Sequence, residues 1–344
     1  MQTHRAMRGT LMPVRTYNVP IHDLIVPEEV LSMPEFLDLR LSRRKTIIAA
    51  ASLAGAGALR VFPGAAQYED VVATPAPIDV KDSYTFVAAG MDTRTRDQDE
   101  NTDVLMVSRV DLANGFVRTM SFPRDLYLEI PGFGLDKINR AYDYGSMGNN
   151  DDWNAGIATV TEMLEYNFGI DIDAAITTTF TGLAKVVDTL GGVTVNNPYD
   201  LYDAQFPTAN YGYKEIFYPA GEQVLNGEQA MEFSRTRHQD GDDGRVMRQQ
   251  LVLTALLEKA QEPETLLKLP ELVEAARDAV VTNIPDAVQA QLIAAVPGIS
   301  PENVIFGTMT DYLWGDTTAS GMWVYQGDWA VLPGYVQGFL NGEF

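Results

Sequence analysis

Four arginines and three aspartates crowd into the run Phe233-Ser234-Arg235-Thr236-Arg237-His238-Gln239-Asp240-Gly241-Asp242-Asp243-Gly244-Arg245-Val246-Met247-Arg248-Gln249-Gln250. If Arg235 and Arg237 sit at a strand end, alternation puts both guanidinium groups on one face. Two such forks can grip the oxygens of a phosphate or pyrophosphate bidentately. Arg245 and Arg248, with the apolar residues after them, read as the start of a helix. The aspartates between can orient the arginines, bind a metal or take a proton. The competing reading is a surface salt-bridge network.

Upstream, three strands end in charge. Ser83–Gly90 is a short apolar strand that runs into Met91-Asp92-Thr93-Arg94. Asn101–Val110 is a second, with Asp103 near its start. After the hairpin turn Asn114-Gly115, Phe116–Phe122 returns and ends at Pro123-Arg124-Asp125. Open sheets place ligands at strand ends. Charged residues at three successive strand boundaries therefore point to one shared site.

Composition narrows the chemistry. The formal net charge is −22 and the hydrophobic share is 46%. A general nucleic-acid binder needs a basic face, so an anionic ligand must be held by a local arginine cluster. The chain has no cysteine and three histidines, His4, His22 and His238. Thiol catalysis, disulfides and histidine-rich metal sites are excluded. A metal would have to be a hard cation on carboxylates. No G-x-S-x-G is present, and His238 lacks an evident serine partner. Carboxylates with arginines then fit Mg²⁺-assisted chemistry on a pyrophosphate, with Mn²⁺ as the possible substitute.

The rest of the chain supplies the scaffold. Leu135–Gly145 reads as a short helix carrying Lys137, and Trp153–Phe168 as a helix with a stripe of Ile157, Val160, Leu164 and Phe168. Asp173–Phe180 is a strand, and Leu183, Val186, Val187 and Leu190 form a helix stripe stopped by Gly191-Gly192. Val193–Val195 is a strand, and Pro198–Tyr218 is an aromatic excursion. A short helix at Asn226–Met231 leads into the arginine strand. Gln249–Ala260 is helical, Pro263–Val281 amphipathic, and Asn303–Met309 a late strand. Alternating strands and helices argue an α/β fold.

The N-terminal region reads differently. Residues 1–41 show no periodicity and are expected to be a poorly ordered leader. In residues 42–62, Ser42-Arg43-Arg44-Lys45 precedes a short apolar run, the pattern of a twin-arginine-like signal or a short membrane anchor. Residues 63–78, with Pro75 and Pro77, form a linker. The folded domain is expected over residues 79–344, outside the cytoplasm.

Several blocks together carry a family resemblance. These are Asp92-Thr93-Arg94, Asp103, Ser121-Phe122-Pro123-Arg124-Asp125, Asp136-Lys137-Ile138-Asn139-Arg140-Ala141-Tyr142, Val187-Asp188-Thr189-Leu190-Gly191-Gly192-Val193, and Arg235-Thr236-Arg237-His238 with Asp242, Arg245, Arg248, Gln249 and Gln250. In this order, across residues 84–256, the sequence resembles the LytR-CpsA-Psr family. The resemblance implies a three-layer α-β-α sandwich with a central mixed sheet and a lipid-sized apolar pocket. It also implies a cell-wall activity outside the membrane: moving a glycopolymer from a polyprenyl-pyrophosphate carrier to peptidoglycan. Carried over, Asp92 and Asp103 would bind Mg²⁺, while Arg94, Arg124, Lys137, Arg235, Arg237 and Gln249 would hold the pyrophosphate. Arg124, Asp242 and Arg245 would do the chemistry, with Asp242 the preferred base because a metal-bound Asp92 is a poor one. The family usually has an arginine shortly before the aspartate at Asp103. Here Asn101 and Thr102 stand there, which shifts that role to Arg94 or Arg96. The alternatives are a polyprenyl-pyrophosphate hydrolase, a non-catalytic lipid- or glycan-binding wall protein, and a structural wall-binding module whose arginines are only salt bridges.

Overall fold

The structure is a computed structural model that describes residues 81–91, 101–147, 152–208 and 212–344. The leader, the twin-arginine-like segment and the linker lie outside the described residues, as do Asp92 and Arg94.

In chain order the first half holds β1 (Ser83–Met91), β2 (Thr102–Asp111), β3 (Phe116–Phe122), β4 (Tyr127–Ile130), β5 (Gly134–Lys137), α1 (Ala141–Met147), α2 (Trp153–Phe168) and β6 (Ala174–Thr179). There follow α3 (Phe180–Thr189), β7 (Val193–Asn197), β8 (Leu201–Pro207), β9 (Tyr213–Tyr218), β10 (Gly221–Leu225), α4 (Gly227–Arg235) and α5 (Gly241–Gln261). The rest is α6 (Pro263–Leu266), α7 (Leu269–Ala275), β11 (Val280–Thr282), α8 (Asp286–Ala295), β12 (Val304–Thr308), β13 (Leu313–Thr317), β14 (Trp323–Gly327) and α9 (Leu332–Asn341).

A six-stranded sheet runs β11-β6-β1-β2-β3-β12. The β1–β6 and β3–β12 pairs are parallel, and the other three are antiparallel. Side chains alternate across it. Val87, Ala89, Leu105, Val107, Met120 and Phe122 point to one face and pack with α2 and α9 in the first core. On the other side Tyr84 and Phe86 pack with Val288 of α8. Helices therefore lie on both faces of a mixed sheet, the layered α/β arrangement expected from the resemblance.

The helix α2 shows how local sequence sets these pieces. Asp152 accepts a hydrogen bond from the backbone N–H of Asn154 (3.0 Å) and caps the start. Gly169 stops the helix in the left-handed region (φ 61°), its N–H bonded to Glu165 O. The stripe between buries Ile157, Val160, Leu164 and Phe168. Gln337 of α9 donates to the Phe168 carbonyl (2.6 Å), so the two helices are tied where α2 ends.

A second core stands apart in sequence, between β6 and β11. It gathers Val187 of α3, Val193 and Val195 of β7, Leu201 and Phe206 of β8, Phe233 of α4 and Val252 of α5. The aromatic excursion is thus the β8–β9 hairpin. The helix α5 lends one side to this core. Its other stripe, Val246, Gln250, Leu253 and Leu257, stays half-buried to exposed.

Two expected elements differ. Arg235 and Arg237 do not alternate on a strand. A capping box between Asn226 and Gln229 starts α4, and that helix continues through Arg235 before Thr236 turns extended (φ −60°, ψ 147°). Leu135–Gly145 is not one helix either. Gly132 and Gly134 adopt positive φ and fold β4 onto β5, so Lys137 ends a strand, and a 3-10 turn precedes α1.

Phe168 is fully buried and meets Phe122 edge-on at 5.0 Å and Trp329 at 5.7 Å. Phe168→Ala should cost about 3–5 kcal/mol by cavity formation, read as a lowered midpoint in urea unfolding.

Candidate functional site

The sheet presents the start of β2 beside the end of β3. Thr102, fully buried, donates through Oγ1 to the Asn139 carbonyl (3.3 Å). Asp103 follows it. After β3, the turn Pro123-Arg124-Asp125 closes with Leu126 N–H on Pro123 O (3.0 Å). Asn139 N–H donates to Arg124 O (3.3 Å), and Ile138 N–H to Leu126 O (2.8 Å). The Asp136–Tyr142 block therefore does structural work, since its backbone pins the Arg124 turn.

Side chains converge on that turn. Arg124 Nη1 donates to Asp103 Oδ1 (2.7 Å), and its Nε lies 3.5 Å from Asp125 Oδ2. Lys137 Nζ donates to Asp125 Oδ1 (2.7 Å). From α5, Asp242 and Arg245 pair at 2.6 Å. Their charges act on the same group: Arg124 and Arg237 on both, Asp103 on Arg245, Asp125 on Asp242. Thus Asp103, Arg124, Lys137, Arg237, Asp242 and Arg245, read separately from sequence, share one site together with Asp125.

Burial tunes these groups. It pushes the Asp242 carboxyl above the usual aspartate range, although Arg245, Arg124 and Arg237 pull it back. It also lowers the Arg245 guanidinium, against the opposing pull of Asp242 and Asp103. For Arg124 burial works against the charge too, but Asp103, Asp125 and Asp242 outweigh it and raise its pKa. The Nε atoms of Arg124 and Arg245 are buried and have no hydrogen-bond partner among the described residues. Two desolvated donors in a cluster of this charge are suited to an anion.

Other expected residues sit differently. The Arg235 guanidinium lies over the rings of Phe180 (5.2 Å) and Phe206 (5.6 Å), a cation–π stack. Gln249 is buried and donates to the Ser234 carbonyl (3.2 Å). Asp92 and Arg94 are outside the described residues.

The α4–α5 turn owes its shape to Arg248, which is wholly buried. Its Nε donates to Phe233 O (2.8 Å), and its two terminal nitrogens to Asp240 and the Thr236 carbonyl. Asp203 on β8 holds the same turn from the other side, accepting from Thr236 Oγ1 and meeting His238 Nδ1 at 2.8 Å. Asp188, in the Val187–Val193 block, accepts from Gly227 N–H (2.7 Å) and seats α4. Sequence reasoning did not find Asp203 or the anchoring role of Arg248. Asp203 is distant in sequence and carries no local pattern. Arg248 belongs to the motif, and its complete burial on backbone carbonyls and Asp240, not its spacing, separates it from the site arginines.

The LytR_cpsA_psr family model matches residues 63–332. Regulatory protein MsrR of Staphylococcus aureus is 33% identical over 214 residues, which is 61% of this chain and 59% of MsrR. The polyisoprenyl-teichoic acid–peptidoglycan teichoic acid transferase TagV of Bacillus subtilis is 33% identical over 210 residues, 59% of this chain and 50% of TagV. The chain thus spans between 50% and 59% of the length of these curated relatives. The crystal structure of B. subtilis TagV has the same fold, with a TM-score of 0.63 at 24% identity over 76% of this chain and 99% of that one.

Arg248→Ala removes a buried cation and strands Asp240 with two carbonyls. It should cost about 3–5 kcal/mol, and Arg248→Lys should not restore it, because one ammonium cannot reach three partners in a planar fork. Urea unfolding of both variants checks this.

Proposed function

This chain belongs to the LytR-CpsA-Psr family, and from that membership we propose an extracytoplasmic phosphotransferase that moves a glycopolymer from a polyprenyl-pyrophosphate carrier to peptidoglycan. The observation that carries the proposal is the Arg124 cluster, in which two desolvated guanidinium groups and an ammonium meet three carboxylates at one end of the sheet. It is a local anion site in a chain of net charge −22.

The reaction follows from those groups. A hydroxyl oxygen of the acceptor attacks the phosphorus that bears the glycopolymer. A new P–O bond forms and the P–O bond to the bridging oxygen breaks. The leaving polyprenyl phosphate takes the electron pair, and Arg124, Arg245 and Lys137 offset its charge. The hydroxyl proton passes to Asp242, whose raised pKa brings it nearer to a base working at neutral pH. Arg237, exposed at the turn, would meet the outer phosphate oxygens in this reading.

Asp103 fits a share in a Mg²⁺ or Mn²⁺ site. Its Oδ1 faces Arg124, and its other oxygen makes no hydrogen bond among the described residues. Such a site needs one or two protein carboxylates, with water and substrate phosphates completing it. Asp92 is the second ligand in this reading. The ion, when bound, would supply positive charge against the pyrophosphate oxygens.

The lipid tail would run between the sheet and α5. Ala88, Gly90, Val104, Val110 and Val117 on the sheet are half-buried, as are Val246 and Leu257 on α5. Gln261 at the end of α5 donates to Val296 O (2.8 Å), near the start of β12. The helix therefore runs back along the sheet from the charged end. An anchored or exported location rests on the basic-then-apolar segment at Ser42–Leu59. Among the described residues no helix is long and apolar enough to cross a membrane.

The test is a reconstituted transfer assay with a polyprenyl-pyrophosphate-linked saccharide, Mg²⁺ and peptidoglycan. Donor consumed without any covalent acceptor product would replace the transferase by a hydrolase. Arg124→Ala should lower kcat by about 10²–10³-fold. Because Asp242 must be ionised to accept a proton, kcat/KM should fall as pH drops through its folded pKa. That limb should lie above the ordinary aspartate value of about 3.9, and it should vanish from the residual activity of Asp242→Asn.

A further inference from the structure

The hairpin β13–β14 lies beside the Arg124 turn and takes no part in the chemistry above. Its attachment is direct. Tyr325 N–H donates to the Asp125 carbonyl (2.8 Å), and Tyr325 bridges to Leu126. The Tyr325 phenol is pushed up from its usual range by burial and then by Asp243, Asp242 and Asp125, so it lies within reach of the charges around Asp242.

One face of this hairpin is aromatic. Trp323 and Tyr325 are two residues apart and share a side. Their rings meet edge-to-face at 4.7 Å. Trp323 is 47% exposed, a large apolar group left in water. It is also positioned. Gly315 pairs with Tyr325 across the hairpin, and a Cβ there would lie 3.2–3.5 Å from Cζ2, Nε1 and Cε2 of the indole. The Nε1–Cζ2 edge of the indole therefore packs over the glycine, and nearly half of the side chain stays exposed. No lysine or arginine follows Arg277 in the chain, while Asp316 and Asp328 sit on and beside the hairpin. A phosphate-rich polymer gains nothing on such a surface.

We propose that Trp323 and Tyr325 form the acceptor-glycan subsite, on which a neutral sugar ring of a β-1,4-linked N-acetylhexosamine chain stacks before its hydroxyl is phosphorylated. A pyranose ring offers a flat face of C–H bonds to the indole, and the Tyr325 hydroxyl can donate to a ring substituent. The subsite adjoins Asp125 and so presents the acceptor to the side of the cluster that holds Asp242. Negative charge on the hairpin keeps the donor polymer off the acceptor's place.

The inference rests on the transferase reading for the glycan's purpose, but its binding is measured without donor. The probe is a soluble β-1,4-linked N-acetylglucosamine oligomer, titrated against the full chain by calorimetry and by tryptophan fluorescence. Saturable binding is expected. Trp323→Ala should weaken it at least about tenfold, Trp323→Phe should fall between, and Tyr213→Ala, an exposed ring on the β8–β9 hairpin, should bind as the parent does. Circular dichroism confirms that each variant is folded. Absence of binding by the parent chain, or equal binding by folded Trp323→Ala, would overturn the subsite. Binding that depends on Trp323 in a protein that shows no transfer would instead remove the transferase reading and leave the glycan site standing.

Discussion

A guanidinium with no exposure to water is costly unless every donor is met, and the geometry of the site follows from how Arg248 meets this demand. It takes two backbone carbonyls, Phe233 and Thr236, and the Asp240 carboxylate. Those three partners lie on the last turn of α4, on the link and just before α5. Fixing them fixes the path from Arg235 to Asp242. Arg237 is then turned outward and Asp242 inward, toward Arg124. The Asp203 clasp repeats the constraint from β8, so the second core and the charged turn are held as one piece.

The cluster also explains how an acid-rich protein can hold an anion. Asp103, Asp125 and Asp242 do not simply cancel the cations. They hold three positive groups at short range in a partly buried place, where the whole-chain charge is screened beyond about 10 Å. Burial then keeps some of the guanidinium N–H groups without a partner among the described residues. Orientation is provided by the carboxylates and affinity by the remaining donors.

Much of this was legible in the sequence, for physical reasons. The strands β1 to β3 and the helix α2 are set by short-range signals: apolar runs, Asn114-Gly115, Asp152 and Gly169. The residues of the Arg124 cluster were readable because strand ends collect them. The arginine pair was misplaced on a strand because the capping box at Asn226 and Gln229 outweighs the alternation of Arg235 and Arg237. The turn between β4 and β5 is legible from Pro131, Gly132 and Gly134, and both glycines adopt positive φ; the strand β5 after it is hidden because Leu135 to Tyr142 has helical composition. The Asp203 and Tyr325 contacts join distant segments, and no local pattern marks such partners.

The first core is closed by Leu332, Val336 and Phe339 of α9, the last helix of the chain. Its other wall, α2, is synthesised more than a hundred and fifty residues earlier. The strands β11 and β12, which form the two edges of the sheet, also come late. The second core, by contrast, is made from one continuous stretch ending in α5. Contacts near in sequence close with little loss of chain entropy, and distant ones close slowly. The order of assembly is therefore favoured by the topology: the module that carries the arginine turn can condense from local contacts, whereas the sheet that carries Asp103 and Arg124 also draws on α9, far along the chain. The two halves of the charged site thus rest on contacts of very different range along the chain.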